Sequence, residues 1–209
     1  MIIDPHDHPY GDIYKLMIGS IVPRPIAFVS TVNAAGVPNL APFSFFNAVC
    51  SNPPIVLFST VIRANGTHKD SLNNVEATKE FVINIVSEEF AGKMNITSAE
   101  YPPGINEFAE SGLTPVPSQR VKPPRVGESR ISFECRLATI VRFGDGPGGG
   151  CTVFGEIVLF HVADELFDNF RIDPDKLRAI GRMGGPTYTR TGDRFDLIRP
   201  KTGETAANR

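Results

Sequence analysis

Between Ile21 and Ser59 short apolar runs alternate with turn-forming residues, which predicts an antiparallel β-unit. Ile26–Val32 and Asn39–Phe45 are spaced to pair as a hairpin. Asn33-Ala34-Ala35-Gly36 provides the loop, with Gly36 free to take a positive φ. Pro53-Pro54 cannot donate to a β-ladder, so a third strand is placed at Ile55–Ser59. Upstream, Ile13, Leu16 and Met17 fall at helical spacing within Asp12–Ile21, which Pro23 ends. Downstream, Thr67 and Asp70 have capping-box spacing for a helix running to about Thr78. A strand is expected at Glu80–Ser87. A helical stretch at Glu88–Ser98 puts Phe90, Met94 and Thr97 on one side, and Ile105–Gly112 reads as a short helix. The proline-rich Thr114–Gly127 is an extended crossing loop. Ser129–Arg142 and Cys151–Val162 form two long strands joined by a glycine-rich loop, expected to be mobile and to cover a ligand. Asp173 and Pro174 start another short helix, and Asp193–Arg199 reads as a final strand. The pattern predicts a mainly β protein with peripheral helices, one domain over 1–209 with its core at about 12–199. Residues 1–10 and 201–209 are expected to be flexible arms.

Composition narrows the function classes. Lys and Arg number 21 against 23 Asp and Glu, a net charge of −2, which removes a general electrostatic case for nucleic acid or anionic membranes. There is no apolar run near 18 residues and the acidic, Pro-broken N-terminus does not read as a signal peptide, so a cytoplasmic location is expected. The odd set Cys50, Cys135 and Cys151 reads as reduced core thiols. His6 and His8 sit on an untethered arm that cannot fix a metal geometry, so no metal site is assigned.

The candidate chemistry is that of binding. Ser30, Thr31, Ser44, Asn47 and Ser59 fall at strand ends among large apolar residues, where an unpaired buried polar group costs about 1–3 kcal/mol. A polar heterocycle would satisfy several at once; bonds to local backbone would serve equally. The start of the helix at Lys69-Asp70-Ser71, with Arg63 nearby, offers free N–H groups and cations to a dianionic phosphate; the alternative is a capped surface helix with a solvated lysine. Gly144, Gly146 and Gly149 match a dinucleotide fingerprint as letters, but strand sequence follows where that fingerprint needs a helix. His161 reads as a strand-end surface or dimer residue. No nucleophile–base arrangement is discernible, so no catalytic side chain is assigned.

Pro23-Arg24-Pro25, Val29-Ser30-Thr31, the run Asn39-Leu40-Ala41-Pro42-Phe43-Ser44-Phe45-Phe46-Asn47 and Asn52-Pro53-Pro54 resemble the flavin reductase-like family, from about Asp12 to Arg199. Asn52, where the family more often has Asp, and Cys50, where it often has Ser, depart from the pattern. The resemblance implies a Greek-key-like split β-barrel that binds FMN as a homodimer and takes electrons from NADH or NADPH. It places Ser30, Thr31, Ser44, Phe45 and Asn47 at the isoalloxazine and ribityl chain. Ser59, Lys69 and Ser71 would serve the phosphate, with Asp70 capping the helix, and this decides between the two readings of Lys69. Arg24, Arg182 and Tyr188 would lie at the open face, the last two in a glycine-rich segment, Ile180–Arg190, expected close to the flavin ring. The expected activity is FMN reduction, supplying reduced flavin to a partner monooxygenase. An electron carrier that retains FMN, working with a redox protein partner, and a non-catalytic flavin-binding module use the same site.

Overall fold

The computed structural model describes residues 1–200; the expectation for 201–209 lies outside the described residues. Its centre is β1 (Ala27–Val32), buried at every position. Ala27 and Val29 join an inner cluster with Phe58, Phe81 and Val153. Phe28 points the other way, into a cluster with Phe90, Met94 and Phe108. An apolar strand covered on both faces must be interior to its sheet, and β1 is. On one side it pairs antiparallel with β2 (Pro38–Phe43), in the register Ala27↔Phe43 to Val32↔Pro38. The turn between them is held by the Asn33 carboxamide, whose oxygen accepts from the N–H groups of Ala35 and Val37 at 2.9 Å. Gly36 takes a φ of 82°, as the turn requires.

The remaining sheet strands are β3 (Phe46–Ser51), β4 (Pro54–Val61), β5 (Glu80–Ile85) and the long hairpin β8 (Ile131–Phe143) and β9 (Gly150–Val162). Small two-stranded ribbons are made by β6 (Pro115–Val116) with β7 (Arg125–Val126), β10 (Phe167–Asp168) with β11 (Arg171–Ile172), and β12 (Ile180–Arg182) with β13 (Tyr188–Arg190). The seven-stranded sheet runs β2-β1-β5-β8-β9-β4-β3, every neighbour antiparallel. It curls on itself: the Ser59 N–H donates to the Phe45 carbonyl at 2.8 Å, and the Phe43 and Phe58 rings lie 5.1 Å apart. At the tightest packing Gly155 leaves no room for a side chain, since a Cβ there would lie 2.2 Å from Phe81 Cζ. Five helices stand around the sheet: α1 (Tyr10–Ser20), α2 (Asp70–Thr78), α3 (Ala91–Ile96), α4 (Glu107–Ser111) and α5 (Pro174–Leu177). A 3₁₀ turn at Pro5–Asp7 precedes α1, so part of the expected arm is structured.

Several expectations are corrected. The stretch from Ile21 to Ser59 holds four strands, because β3 forms as an exposed edge without apolar alternation. Cys50, on that edge, is exposed and donates to the Pro53 carbonyl at 3.0 Å; Cys135 and Cys151 are buried as expected. Thr67 does not cap α2. Its hydroxyl and N–H are taken by the Asn65 carboxamide, at 2.7 and 3.0 Å, and the helix begins after Lys69. The stretch Glu88–Ser98 divides into a 3₁₀ turn and α3, with Phe90, Met94 and Thr97 all buried. Asp193–Arg199 forms no strand, having no partner, and Phe195, Leu197 and Ile198 are exposed.

His161 stands at the strand end as expected, but its side chain is part-buried instead of on the surface. Its Nε2 lies 2.6 Å from Oε1 of the fully buried Glu134, on the neighbouring strand. The same carboxylate accepts from the N–H groups of Gln119 at 2.8 Å and Arg120 at 2.6 Å, so one buried charge ties the crossing loop to the sheet. Burial pushes the Glu134 carboxyl upward, but the two N–H groups and His161 outweigh it and hold it below the ordinary glutamate value. Glu134→Ala should cost about 3 kcal/mol, because both loop N–H groups lose their partner. The test is urea unfolding, and an unchanged midpoint would contradict the assignment. Gly155→Ala should cost about 1–3 kcal/mol by overpacking against Phe81, read in the same experiment.

Candidate functional site

The chain turns out of β4 into a loop that leads to α2, which packs on β1 and β2. Because Lys69 occupies the N-cap without a side-chain cap, the first N–H groups of α2 keep no helical partner. They face a small cavity of about 90 Å³ lined by Lys69, Asp70, Ser71, Arg63, Asn39 and Glu107 among others. The buried Ser71 hydroxyl accepts from Asn39 Nδ2 at 2.9 Å, which fixes both side chains. Arg63 is steadied by the His68 carbonyl at 2.5 Å and by Asp70 at 3.9 Å. Lys69 is two-thirds buried, and its ammonium lies 3.7 Å from the exposed Glu100. Two cations, a hydroxyl and a helix N-terminus converge on one concavity, an arrangement that favours negative charge.

Glu107 stands against this grain. It is 7% exposed and its Oε2 accepts from the N–H of Leu40, which the edge strand β2 would otherwise leave unpaired. Burial raises the carboxyl above its ordinary value, Asp70 adds to this, and the N–H groups of Leu40 and of Glu107 itself oppose it.

A second cavity of about 330 Å³ adjoins the first, with Pro42 and Ser98 lining both, and the two together are termed the groove. The second cavity is lined by Ser44, Arg24, Arg182, Tyr188, Tyr14 and Asn95 among others. Arg182 donates to the Tyr188 hydroxyl and, at 2.6 Å, to the Gly185 carbonyl. Its guanidinium carbon lies 4.5 Å from the centre of the Tyr188 ring, so the pair forms a stacked, half-exposed cation. Arg24 is different. It is 4% exposed and donates to the carbonyls of Ile18 at 2.6 Å, Ile21 at 2.8 Å and Met183 at 2.9 Å, and to the Ser44 hydroxyl at 3.3 Å. It therefore presents no free cation at the open face; it binds the end of α1 and the turn between β12 and β13 to the tip of β2.

The groove thus brings together Ser44, Lys69, Ser71, Arg24, Arg182 and Tyr188. Phe45 turns to a neighbouring cavity beside Tyr14. Ser30, Thr31, Asn47 and Ser59 line neither part of the groove. Ser30 donates to the Pro124 carbonyl, and Thr31 accepts from Asn74 Nδ2 at 3.0 Å. The Asn47 side chain bonds the Ala48 N–H at 2.8 Å, and Ser59 pairs with Thr152 at 2.8 Å. Sequence reasoning missed Asn39 and Glu107. Asn39 carried a signal, as a polar residue opening the run Asn39–Asn47. Glu107 had none, because its place depends on α4 packing on a strand far back in the chain.

Residues 18–181 match the model of the flavin reductase like domain. Nitrilotriacetate monooxygenase component B from Bacillus cereus is 38% identical, with a TM-score of 0.90 over 94% of this chain and 98% of that one. The 2-nitrobenzoate 2-nitroreductase NbaA of Pseudomonas fluorescens is 33% identical, with a TM-score of 0.88 over 99% and 100%. A Shewanella frigidimarina protein with a split barrel domain is 22% identical, with a TM-score of 0.82 over 96% and 100%, and shows the fold alone. The curled sheet is thus a split barrel of the flavin-reductase class. The chain belongs to the flavin reductase-like family.

Glu107 generates a prediction. Burial keeps its carboxyl protonated to higher pH than a surface glutamate's, and on ionising it places a second carboxylate, with Asp70, beside Lys69 and Ser71. FMN affinity should therefore fall by about tenfold across that titration, as one added like charge at close range implies. Glu107→Gln should flatten the profile, and riboflavin, which has no phosphate, should show no such fall. Parallel FMN and riboflavin profiles in wild type would contradict the assignment.

Proposed function

We propose that this chain is an NAD(P)H-dependent FMN reductase that supplies reduced flavin to a partner monooxygenase. The observation that carries the reading is a pair of adjoining cavities: a small one with two cations at the start of α2, and a larger one at Ser44, Arg182 and Tyr188. A phosphate-bearing planar heterocycle has those two ends. Lys69, Ser71 and the first N–H groups of α2 would hold the phosphate, with Arg63 adding charge. Asn39 holds the Ser71 hydroxyl in place. The Ser44 hydroxyl, oriented by Arg24, would meet the ring's polar edge, and the Arg182–Tyr188 pair would border its open side. When bound, the flavin supplies the electron chemistry; the protein contributes position, a dry wall and control of access.

A homodimer belongs to the same reading. No residue of α1 is buried, and β3 is an exposed edge carrying Val49, while Leu16, Met17 and Ile21 stand half-exposed. An exposed apolar helix and an unpaired strand edge each suit burial against a second copy. None of the described helices is long and apolar enough to cross a membrane.

Lys69→Ala should weaken FMN binding at least about tenfold, as loss of a charge-assisted bond implies, without moving the melting temperature. Unchanged FMN affinity would remove the phosphate assignment. Mixed anaerobically with NADH and then NADPH, the FMN-loaded protein should lose its visible absorbance and release the flavin on dilution. A yellow protein that keeps its FMN and ignores both nucleotides would contradict the reductase reading in favour of an electron carrier.

A further inference from the structure

A separate cavity of about 250 Å³ lies where α5, the chain after β13 and the turn at Glu88 meet. Three guanidiniums line it, those of Arg178, Arg190 and Arg194, against two carboxylates, Glu88 and Asp175. The surplus is one positive charge, in a chain whose net charge is −2.

The carboxylates fix the cations without exhausting them. Glu88 accepts from Arg178 Nη2 at 2.7 Å through one oxygen and from Arg190 Nε at 2.5 Å through the other. Asp175 accepts from Arg194 Nη2 at 2.6 Å, and Arg194 Nη1 donates to the Thr191 carbonyl at 2.6 Å. Glu89, 3.6 Å from Arg178 but outside the lining, is bonded to Arg130 at 3.0 Å. Among the described residues the Nη1 and Nη2 groups of Arg190 donate to nothing, and its side chain is 78% exposed. Glu88 thus holds Arg190 by its inner N–H and leaves the outer fork open to a second anion, and such a fork matches phosphate oxygens.

The backbone sets this cluster beside the groove. The Glu88 N–H donates to the Arg178 carbonyl at 3.0 Å and the Ile180 N–H to the Val86 carbonyl at 3.2 Å, which ties the turn to the β12–β13 ribbon. In that ribbon Arg182 pairs with Tyr188, and Ile180 with Arg190. Tyr188 and Arg190 are alternate residues of β13, so they share a face and stand about 7 Å apart along the strand.

We propose that this cavity holds the 2′-phosphate of NADPH, and so selects NADPH over NADH as the electron donor. The identity of the ligand rests on the reductase reading above; the three-arginine cavity does not. The two nucleotides are alike at the nicotinamide and differ by one phosphate monoester on the adenosine ribose. A site that tells them apart must lie away from the flavin ring and meet a dianion with fixed cations. The cluster, two residues along β13 from Tyr188, meets both conditions. Its volume is just under the roughly 300 Å³ at which small-molecule sites begin, as suits one end of a longer ligand.

The test has a kinetic and a binding arm, both on the full chain saturated with FMN, so that the start of α2 is taken. The KM for NADPH should lie at least about tenfold below that for NADH, as charge-assisted bonds to one added phosphate imply. Arg190→Ala should raise the KM for NADPH at least about tenfold and that for NADH by no more than about twofold, and Arg190→Lys should recover part of the loss. A residue that only fastened the ribbon would move both values together. In calorimetric titration one adenosine 2′,5′-bisphosphate should bind per chain, 5′-AMP at least about tenfold more weakly, and Arg190→Ala should close that gap. A KM for NADPH equal to or above that for NADH would overturn the proposal, as would an equal effect of Arg190→Ala on both. So would inorganic phosphate binding as tightly as the bisphosphate, since the site would then serve a free anion. A chain that takes up no FMN, or is reduced by neither nucleotide, yet holds the bisphosphate through Arg190, loses the reductase reading and keeps the site.

Discussion

The guanidinium of Arg24 is the interaction on which the site depends. Three pieces of chain far apart in sequence meet at it: the last turn of α1, the tip of β2 at Ser44, and the segment leading from β12 into the glycine-rich turn. Burial pushes its pKa downward, and nearby Arg182 acts in the same direction. What repays the lost solvation is a set of three main-chain carbonyls and a hydroxyl, matched by the rigid fork of donors that only arginine has. A backbone bridge between Arg24 and Arg182 reinforces the join. Remove this fixture and the Arg182–Tyr188 pair loses its distance from Ser44, and α1 its tether beside the barrel.

Much of the architecture is legible in the sequence because it is local. The β1–β2 hairpin follows from alternation and from an asparagine and a glycine that suit one turn. The start of α5 follows from Asp173, whose carboxylate accepts from the N–H groups of Asp175 and Lys176 as an N-cap should. The edge strand β3 was hidden because an exposed strand needs no apolar alternation. The cap of α2 was misplaced because Asn65, two residues upstream, competes for Thr67 and wins.

The site was legible in its residue types more than in their roles. Lys69 and Ser71 lie where a helix start had to be, and the helix start itself is a local signal. Ser30 and Thr31 look alike as polar residues in an apolar strand, yet each is satisfied by a partner from a distant segment, Pro124 or Asn74. No pattern along the chain announces such partners. Glu107 is the extreme case: a carboxyl placed beside Lys69 and Ser71 by the need of one edge-strand N–H. Its burial makes it compatible with that site by keeping it neutral more easily than a surface glutamate.

The groove, the fixture at Arg24 and the family membership point to one claim: the start of α2 holds a phosphate whose attached ring lies toward Ser44 and Tyr188. The most direct measurement is a crystal structure of the protein with FMN. The account predicts the phosphate within hydrogen-bonding distance of Lys69 Nζ and Ser71 Oγ, with the isoalloxazine reaching the cavity beside Ser44. A phosphate bound elsewhere, for example among Arg178, Arg190 and Arg194, with the start of α2 empty, would contradict it.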